Sequence, residues 1–112
     1  MEKLKKYQSA ILKVLREYAA IKSPFMPSVE NKVVADTANH HYQLVRMGWH
    51  QDKHVYYSVF HFDIINGKVW VQENRTDAKI DEELVAAGVA AGDIVSGMSQ
   101  PNLQGRVEAV AA

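Results

Sequence analysis

The chain contains no cysteine, which excludes disulfide frameworks, thiolate metal sites and thiol nucleophiles together. With only three prolines and six glycines in 112 residues, the chain shows no internal repeat, low-complexity tract or second-domain linker. No apolar run approaches the roughly 20 residues that a membrane-spanning helix needs. The opening segment, MEKLKKYQSAILKVLREYAA, is charged at short intervals and lacks the continuous apolar stretch of a secretory signal. Charge of one sign is not in excess, since thirteen basic residues balance thirteen acidic ones. A protein that grips DNA unaided usually carries a basic surplus, because phosphate neutralisation supplies most of that affinity. P-loop, dinucleotide and histidine–glutamate metalloprotease motifs are all missing. These absences leave a single domain spanning residues 1–112, long enough for one hydrophobic core, and expected to be cytoplasmic and non-enzymatic.

The charge is unevenly spread. Residues 1–22 hold six basic side chains against Glu2 and Glu17, and residues 73–112 hold seven acidic ones against Arg75, Lys79 and Arg106. That asymmetry suits head-to-tail self-association or an oppositely charged partner, although solvated surface charge is the simpler reading. Within the basic segment, Leu4, Tyr7, Ile11, Val14 and Tyr18 recur at alternating spacings of three and four. With Ala10, Leu15 and Ala19 they predict one apolar stripe on a helix from about Glu2 to Ile21. Fewer than three heptads are present, so the stripe is expected to pack on a sheet rather than in a coiled coil. Pro24 and Pro27 place a loop over Lys22 to Ser28.

A four-stranded antiparallel meander is predicted next, with strands Lys32 to Thr37, His41 to Trp49, Lys53 to Ile65 and Lys68 to Glu73. Asn66-Gly67 is a strong two-residue hairpin signal, because both residues tolerate positive φ. It predicts the pairs Ile64–Val69, Asp63–Trp70, Phe62–Val71 and His61–Gln72. The connection at Gln51-Asp52 likewise predicts Trp49–His54 and Met47–Tyr56. Strict alternation then collects Val45, Met47, Trp49, Tyr56, Phe60, Phe62, Ile64, Val69 and Val71 on a core face beneath the helix. The opposite face collects Tyr42, Leu44, Arg46, Val55, Tyr57, Val59, His61, Asp63, Lys68, Trp70 and Gln72. A solvated face is mostly polar, whereas this one is half apolar and holds residue types enriched at interfaces. It is expected to be covered by a partner chain or by the C-terminal segment. The partner-interface candidates are Tyr42, Arg46, Tyr57, His61, Asp63, Lys68, Trp70 and Gln72.

Thr76 or Asp77 can cap a second helix that carries Ile80, Leu84 and Val85 inward and stops at Gly88. Ala90 to Val95 has room for a further turn, Gly97 to Gly105 reads as loop, and Arg106 to Ala111 reads as a strand or a tail. The fold class is therefore α+β, a helix on a four-stranded antiparallel meander sheet followed by one or two short helices and a C-terminal strand or tail.

Five histidines raise the question of a metal. His61 and Asp63 share a strand face, His40-His41 lies at a turn, and His50 and His54 lie towards the other end of the hairpin. Zinc needs at least three convergent ligands, so surface or interface histidines are preferred, and no metal or cofactor is expected. His61 with Asp63 resembles half of an acid–base pair, but no nucleophile or oxyanion donor accompanies it. Asp63 beside Lys68 reads as a cross-strand ion pair.

The chain resembles the XisI family, the fdxN-element excision controlling factors of cyanobacteria. The matching segments are MEKLKKYQSAILKVLREYAA, DTANHHYQLVRMGWHQDKHVY, HFDIINGKVWVQENRT, ELVAAGV with GDIVSG, and the closing AVAA. Asp36-Thr37, Gly48-Trp49, Asp63-Ile64, Gly67-Lys68 with Trp70 and Gln72, and Glu83-Leu84-Val85 carry the family pattern. The end departs from it, since Met98-Ser99-Gln100-Pro101 and Gln104 to Ala109 lack the aromatics of relatives. The resemblance implies an accessory factor in programmed DNA excision. Such a factor would work with a XisH-like protein and a separate site-specific recombinase, as a homodimer or larger assembly, with DNA contact indirect. The alternative is a direct DNA-binding accessory factor using the basic N-terminal helix, with Lys3, Lys5, Lys6 and Lys13 near phosphates.

Overall fold

The computed structural model describes residues 2–98. Helix α1 (Glu2–Ala19) is followed by strands β1 (Val29–Asp36), β2 (His41–His50), β3 (Lys53–Ile65) and β4 (Lys68–Asn74). Helix α2 (Ile80–Ala87), a 3-10 turn (Ala91–Asp93) and strand β5 (Ile94–Ser96) complete the described chain. The strands form one five-stranded sheet in chain order. The first four are antiparallel, as the short turns require, while β5 runs parallel to β4 because α2 carries the chain back across the sheet. The fold is α+β as the sequence predicts, with β5 an additional strand. The expected tail, Arg106 to Ala111, lies outside the described residues.

Helix α1 buries Tyr7, Ala10, Ile11, Val14 and Leu15, the predicted stripe, with Leu4 and Tyr18 packed at its margin. Ile80, Leu84 and Val89 join the same cluster from the α2 side. Tyr18 donates a hydrogen bond to Glu83 and so links the two helices. Lys3 pairs with Asp93 at 3.0 Å, and the Tyr7 hydroxyl donates to the same carboxylate. No side-chain cap starts α2; Lys79 occupies that position in place of the expected Thr76 or Asp77. Thr76 belongs instead to an Asn74-centred turn, in which its amide and hydroxyl both donate to Asn74. Gly88, at φ 124°, ends α2 where the sequence places its stop.

The hairpin at Asn66-Gly67 forms as predicted, with φ of 52° and 76°. Its first three pairs, Ile64–Val69, Asp63–Trp70 and Phe62–Val71, match the expectation. The next does not, because Gln72 is bulged and His61 faces Glu73. On the other side of β3, the predicted Trp49–His54 and Met47–Tyr56 pairs form at the turn end. Farther along, Leu44 faces Phe60 while Val45 faces Ser58, so Val59 is an extra residue without a partner on β2.

That second bulge corrects the predicted faces. Side chains alternate along a strand, and one inserted residue inverts the alternation beyond it. Phe60, Phe62, Ile64, Val69 and Val71 lie in the core as expected. Tyr42 and Leu44 join them, fully buried, together with Val59 and with Tyr57 at the margin. Arg46 is hydrogen-bonded to Asn31 and Tyr57, and Val55 follows the same alternation, so both leave the predicted second face. Val45, Met47, Trp49 and Tyr56 move the opposite way, onto the face away from the helices. Trp49 is 55% exposed there and Tyr56 66%.

The corrected faces have an energetic consequence. Leu44→Ala is expected to destabilise the protein by about 2–5 kcal/mol, the usual result of truncating a buried leucine. Tyr56→Ala, the larger truncation, should change stability by no more than about 1 kcal/mol. Urea denaturation of both variants checks the ordering.

Candidate functional site: the open face of the sheet

Both helices pack on one side of the sheet, against the shared core cluster. The other side presents Val34, Met47, Trp49 and Tyr56 across the first three strands, and Trp70 with Lys68 on β4. Val34, Trp49 and Tyr56 are all exposed. His54 sits between Trp49 and Tyr56, with ring centroids 5.0 Å and 6.4 Å away, so the three rings form a short aromatic ladder. Among the described residues this apolar strip is uncovered.

Of the predicted contact residues, His61, Asp63, Lys68, Trp70 and Gln72 lie on this open face. Tyr42, Arg46 and Tyr57 do not. Tyr42 is fully buried in the core, and its hydroxyl lies 3.0 Å from His40 Nδ1. Arg46 Nη1 donates to the Tyr57 hydroxyl at 3.1 Å on the helix side. The expected ion pair of Asp63 with Lys68 does not form either, because Lys68 stands opposite Ile65 while Asp63 stands between His41 and Trp70.

The polar centre of the face is Asp63, buried to 8% exposure. His41 Nδ1 and His61 Nε2 each lie 2.8 Å from its Oδ1. Gln72 Nε2 donates to its Oδ2 at 3.3 Å. The Gln72 bulge makes that reach possible, and Gly97 leaves room for it, since a Cβ on Gly97 would come 2.1 Å from Gln72 Oε1. Asp36 fixes the start of β2 by accepting hydrogen bonds from the Ala38 and Asn39 amides. The Ile64 amide donates to His40 O, which ties the same turn to β3 beside Asp63.

Burial alone would push the Asp63 carboxyl up, yet the hydrogen bonds from His41, His61 and Gln72 hold it below the ordinary carboxylate range. The hydrogen bond to Asp63 raises His41 above the ordinary imidazole value despite some desolvation, and the carboxylates of Asp63 and Asp36 add to the effect. His41, His61 and Asp63 together are the described residues able to hold a metal, their ligand atoms all lying within 4.8 Å of one another. Sequence reasoning paired His61 with Asp63 and missed His41. Its signal was present: β2 read antiparallel to β3 with one extra residue brings His41 opposite Asp63.

These shifts set a pH window. The lowered Asp63 contributes stability that is present above its unfolded value and is lost as pH falls through the folded one. The raised His41 contributes stability that is present below its unfolded value and is lost as pH rises through the folded one. The stability gap between the native protein and Asp63→Asn is therefore expected to be widest between about pH 4 and 6.5 and to narrow on either side. Thermal unfolding across that range, in the presence of a chelator, measures it.

The comparisons with known proteins follow the fold. The XisI family, described as XisI protein, matches residues 1–109. The crystal structure of a XisI-like protein from Anabaena variabilis shares 41% identity at a TM-score of 0.78, over 88% of this chain and 89% of that one. The crystal structure of the fdxN element excision controlling factor XisI from the same organism shares 27% identity at a TM-score of 0.73, again over 88% and 89%. No curated protein matches. The match along nearly the whole chain and the likeness of fold agree, and the chain belongs to the XisI family.

Proposed function

We propose that this protein is a controlling factor in the excision of a DNA element, acting without catalysis of its own through protein partners held on the open sheet face. The observation that carries this reading is the likeness, over 88% of the chain, to a structure named as the fdxN element excision controlling factor. The character of the open face supports it. The strip of Trp49, His54 and Tyr56, uncovered among the described residues, with the half-buried Trp70 beside it, has the aromatic content of a docking surface, since tryptophan and tyrosine dominate interface energetics. Among the described residues no helix is long and apolar enough to cross a membrane.

The partners fitting this role are a XisH-like protein, a separate site-specific recombinase and further copies of the chain itself. A direct grip on DNA is the competing reading, and one observation favours it. Lys5, Lys6, Lys13 and Arg16 all lie exposed on α1, away from its buried stripe. The balanced net charge weighs against it.

Co-purification with a XisH-like protein, with the complex mass read by light scattering, separates the two. A stoichiometric complex is expected. Trp70→Arg should abolish it while leaving the far-ultraviolet circular dichroism and unfolding midpoint of the isolated domain close to native. A complex that survives Trp70→Arg contradicts the open-face assignment. Absence of any complex, with DNA affinity of the isolated protein falling steeply in salt, would favour the α1 reading instead.

A further inference from the structure

We propose that His41, His61 and Asp63 form a binding site for a divalent transition-metal cation of the zinc class on the open face of the sheet. Three protein atoms of the right chemistry converge there, His41 Nδ1, His61 Nε2 and a carboxylate oxygen of Asp63, all within 4.8 Å of one another. Both nitrogens point at a single oxygen, Oδ1, from 2.8 Å, and the two rings meet nearly edge to face at an interplanar angle of 85°. Two imidazoles and one carboxylate are the donor set of three-ligand zinc sites, in which the fourth position is left to water or another ligand.

The carboxylate supplies an independent reason to expect a cation. Asp63 is buried, and a buried carboxylate is costly unless it is hydrogen-bonded and paired with a positive charge. Among the described residues no lysine or arginine lies within ion-pair distance of it; its only ionisable partners are the two histidines. When those imidazoles are neutral they offer hydrogen bonds but no positive charge. A bound cation supplies the missing charge, and it does so at the point where the two nitrogens already converge.

The geometry needs only a small adjustment. A four-coordinate cation with bonds of about 2.0–2.1 Å holds its ligand atoms about 3.3 Å apart. Each 2.8 Å nitrogen–oxygen contact must then open by about 0.5 Å, and the two nitrogens, within 4.8 Å of each other, must settle at the same spacing, which calls for side-chain rotation of Asp63 and of the half-exposed His41. The framework behind the ligands is fixed. Gln72 Nε2 holds the second carboxylate oxygen, the kind of outer hydrogen bond that orients a ligating carboxylate. The antiparallel pairing of His41 with Asp63 sets the backbone beneath both. His41 leaves the site open to solvent, with its side chain 53% exposed, so a fourth ligand can enter from the open face. The two imidazoles select zinc, nickel, copper or cobalt over magnesium and calcium, which prefer oxygen ligands. This assignment is independent of whether the face docks a partner.

The test is calorimetric titration of the full chain with zinc chloride after chelator treatment and dialysis, followed by cobalt(II) absorption in the visible. One ion per chain with micromolar or tighter affinity is expected, with cobalt bands of four-coordinate intensity. His41→Ala and His61→Ala should each weaken binding by about tenfold or more. The double variant His50→Ala/His54→Ala, which removes the other histidines of the β2–β3 hairpin, should bind as the native chain does. Asp63→Asn is informative if it folds; His41→Ala, on an exposed side chain, carries the test if it does not. No saturable binding overturns the assignment. So does binding that persists unchanged in His41→Ala and His61→Ala, or binding that is lost with His50 and His54.

Discussion

Val59 has no partner of its own on β2, and this one unpaired residue decides which side of the sheet much of β3 presents to the helices. Between the bulge and Ile65, even-numbered residues of β3 point into the core; between Lys53 and the bulge, odd-numbered ones face the helices. The inversion places Leu44 and Tyr42 under α1 beside Phe60 and Phe62, and sends Tyr56 out to the other face. Both Val59 and Phe60 are buried, so the bulge adds apolar surface to the core at the cost of one ladder position. Close packing makes this arrangement exclusive, because a core filled to near crystal density has no room for Trp49 or Tyr56 in addition.

The same register produces the open face. Once Phe62 and Ile64 are committed to the core, Asp63 between them must face away from the helices. There it stands between His41 on one neighbouring strand and Trp70 on the other. The second bulge, at Gln72, lets that side chain reach the carboxylate. An acid half-wrapped by imidazoles and an amide next to an aromatic strip is a composition that neither core packing nor solubility calls for. It places the distinguishing chemistry of the molecule on the side that its own helices leave bare.

Much of this was legible in the sequence, and the failures have local causes. Asn66-Gly67 announced its hairpin because two consecutive positive φ angles demand those residue types. The α1 stripe was legible because a 3.6-residue period survives any detail of the sheet. The bulge was not legible. Val55 to Phe62 is apolar or aromatic at six of its eight positions, so either parity buries hydrophobic residues and alternation cannot choose between them. Tyr42, Leu44, Arg46 and Tyr57 were misplaced for that reason alone. His41 was missed because its neighbour across the sheet depends on counting through the bulge. β5 escaped notice because Ile94 to Ser96 is too short to signal a strand and is held by its parallel neighbour.

The central claim is that the sheet face left uncovered among the described residues, rather than the basic flank of α1, is the working surface. With no native cysteine, single-cysteine variants can be labelled without background. The decisive measurement is the thiol-labelling rate of Val34→Cys and Tyr56→Cys on the open face and of Lys5→Cys and Lys13→Cys on the helix. Each is compared between the dissociated chain and its assembly with a partner. The account predicts that positions 34 and 56 become protected on assembly while positions 5 and 13 stay reactive. Protection confined to positions 5 and 13, with the open face still freely labelled, would contradict it.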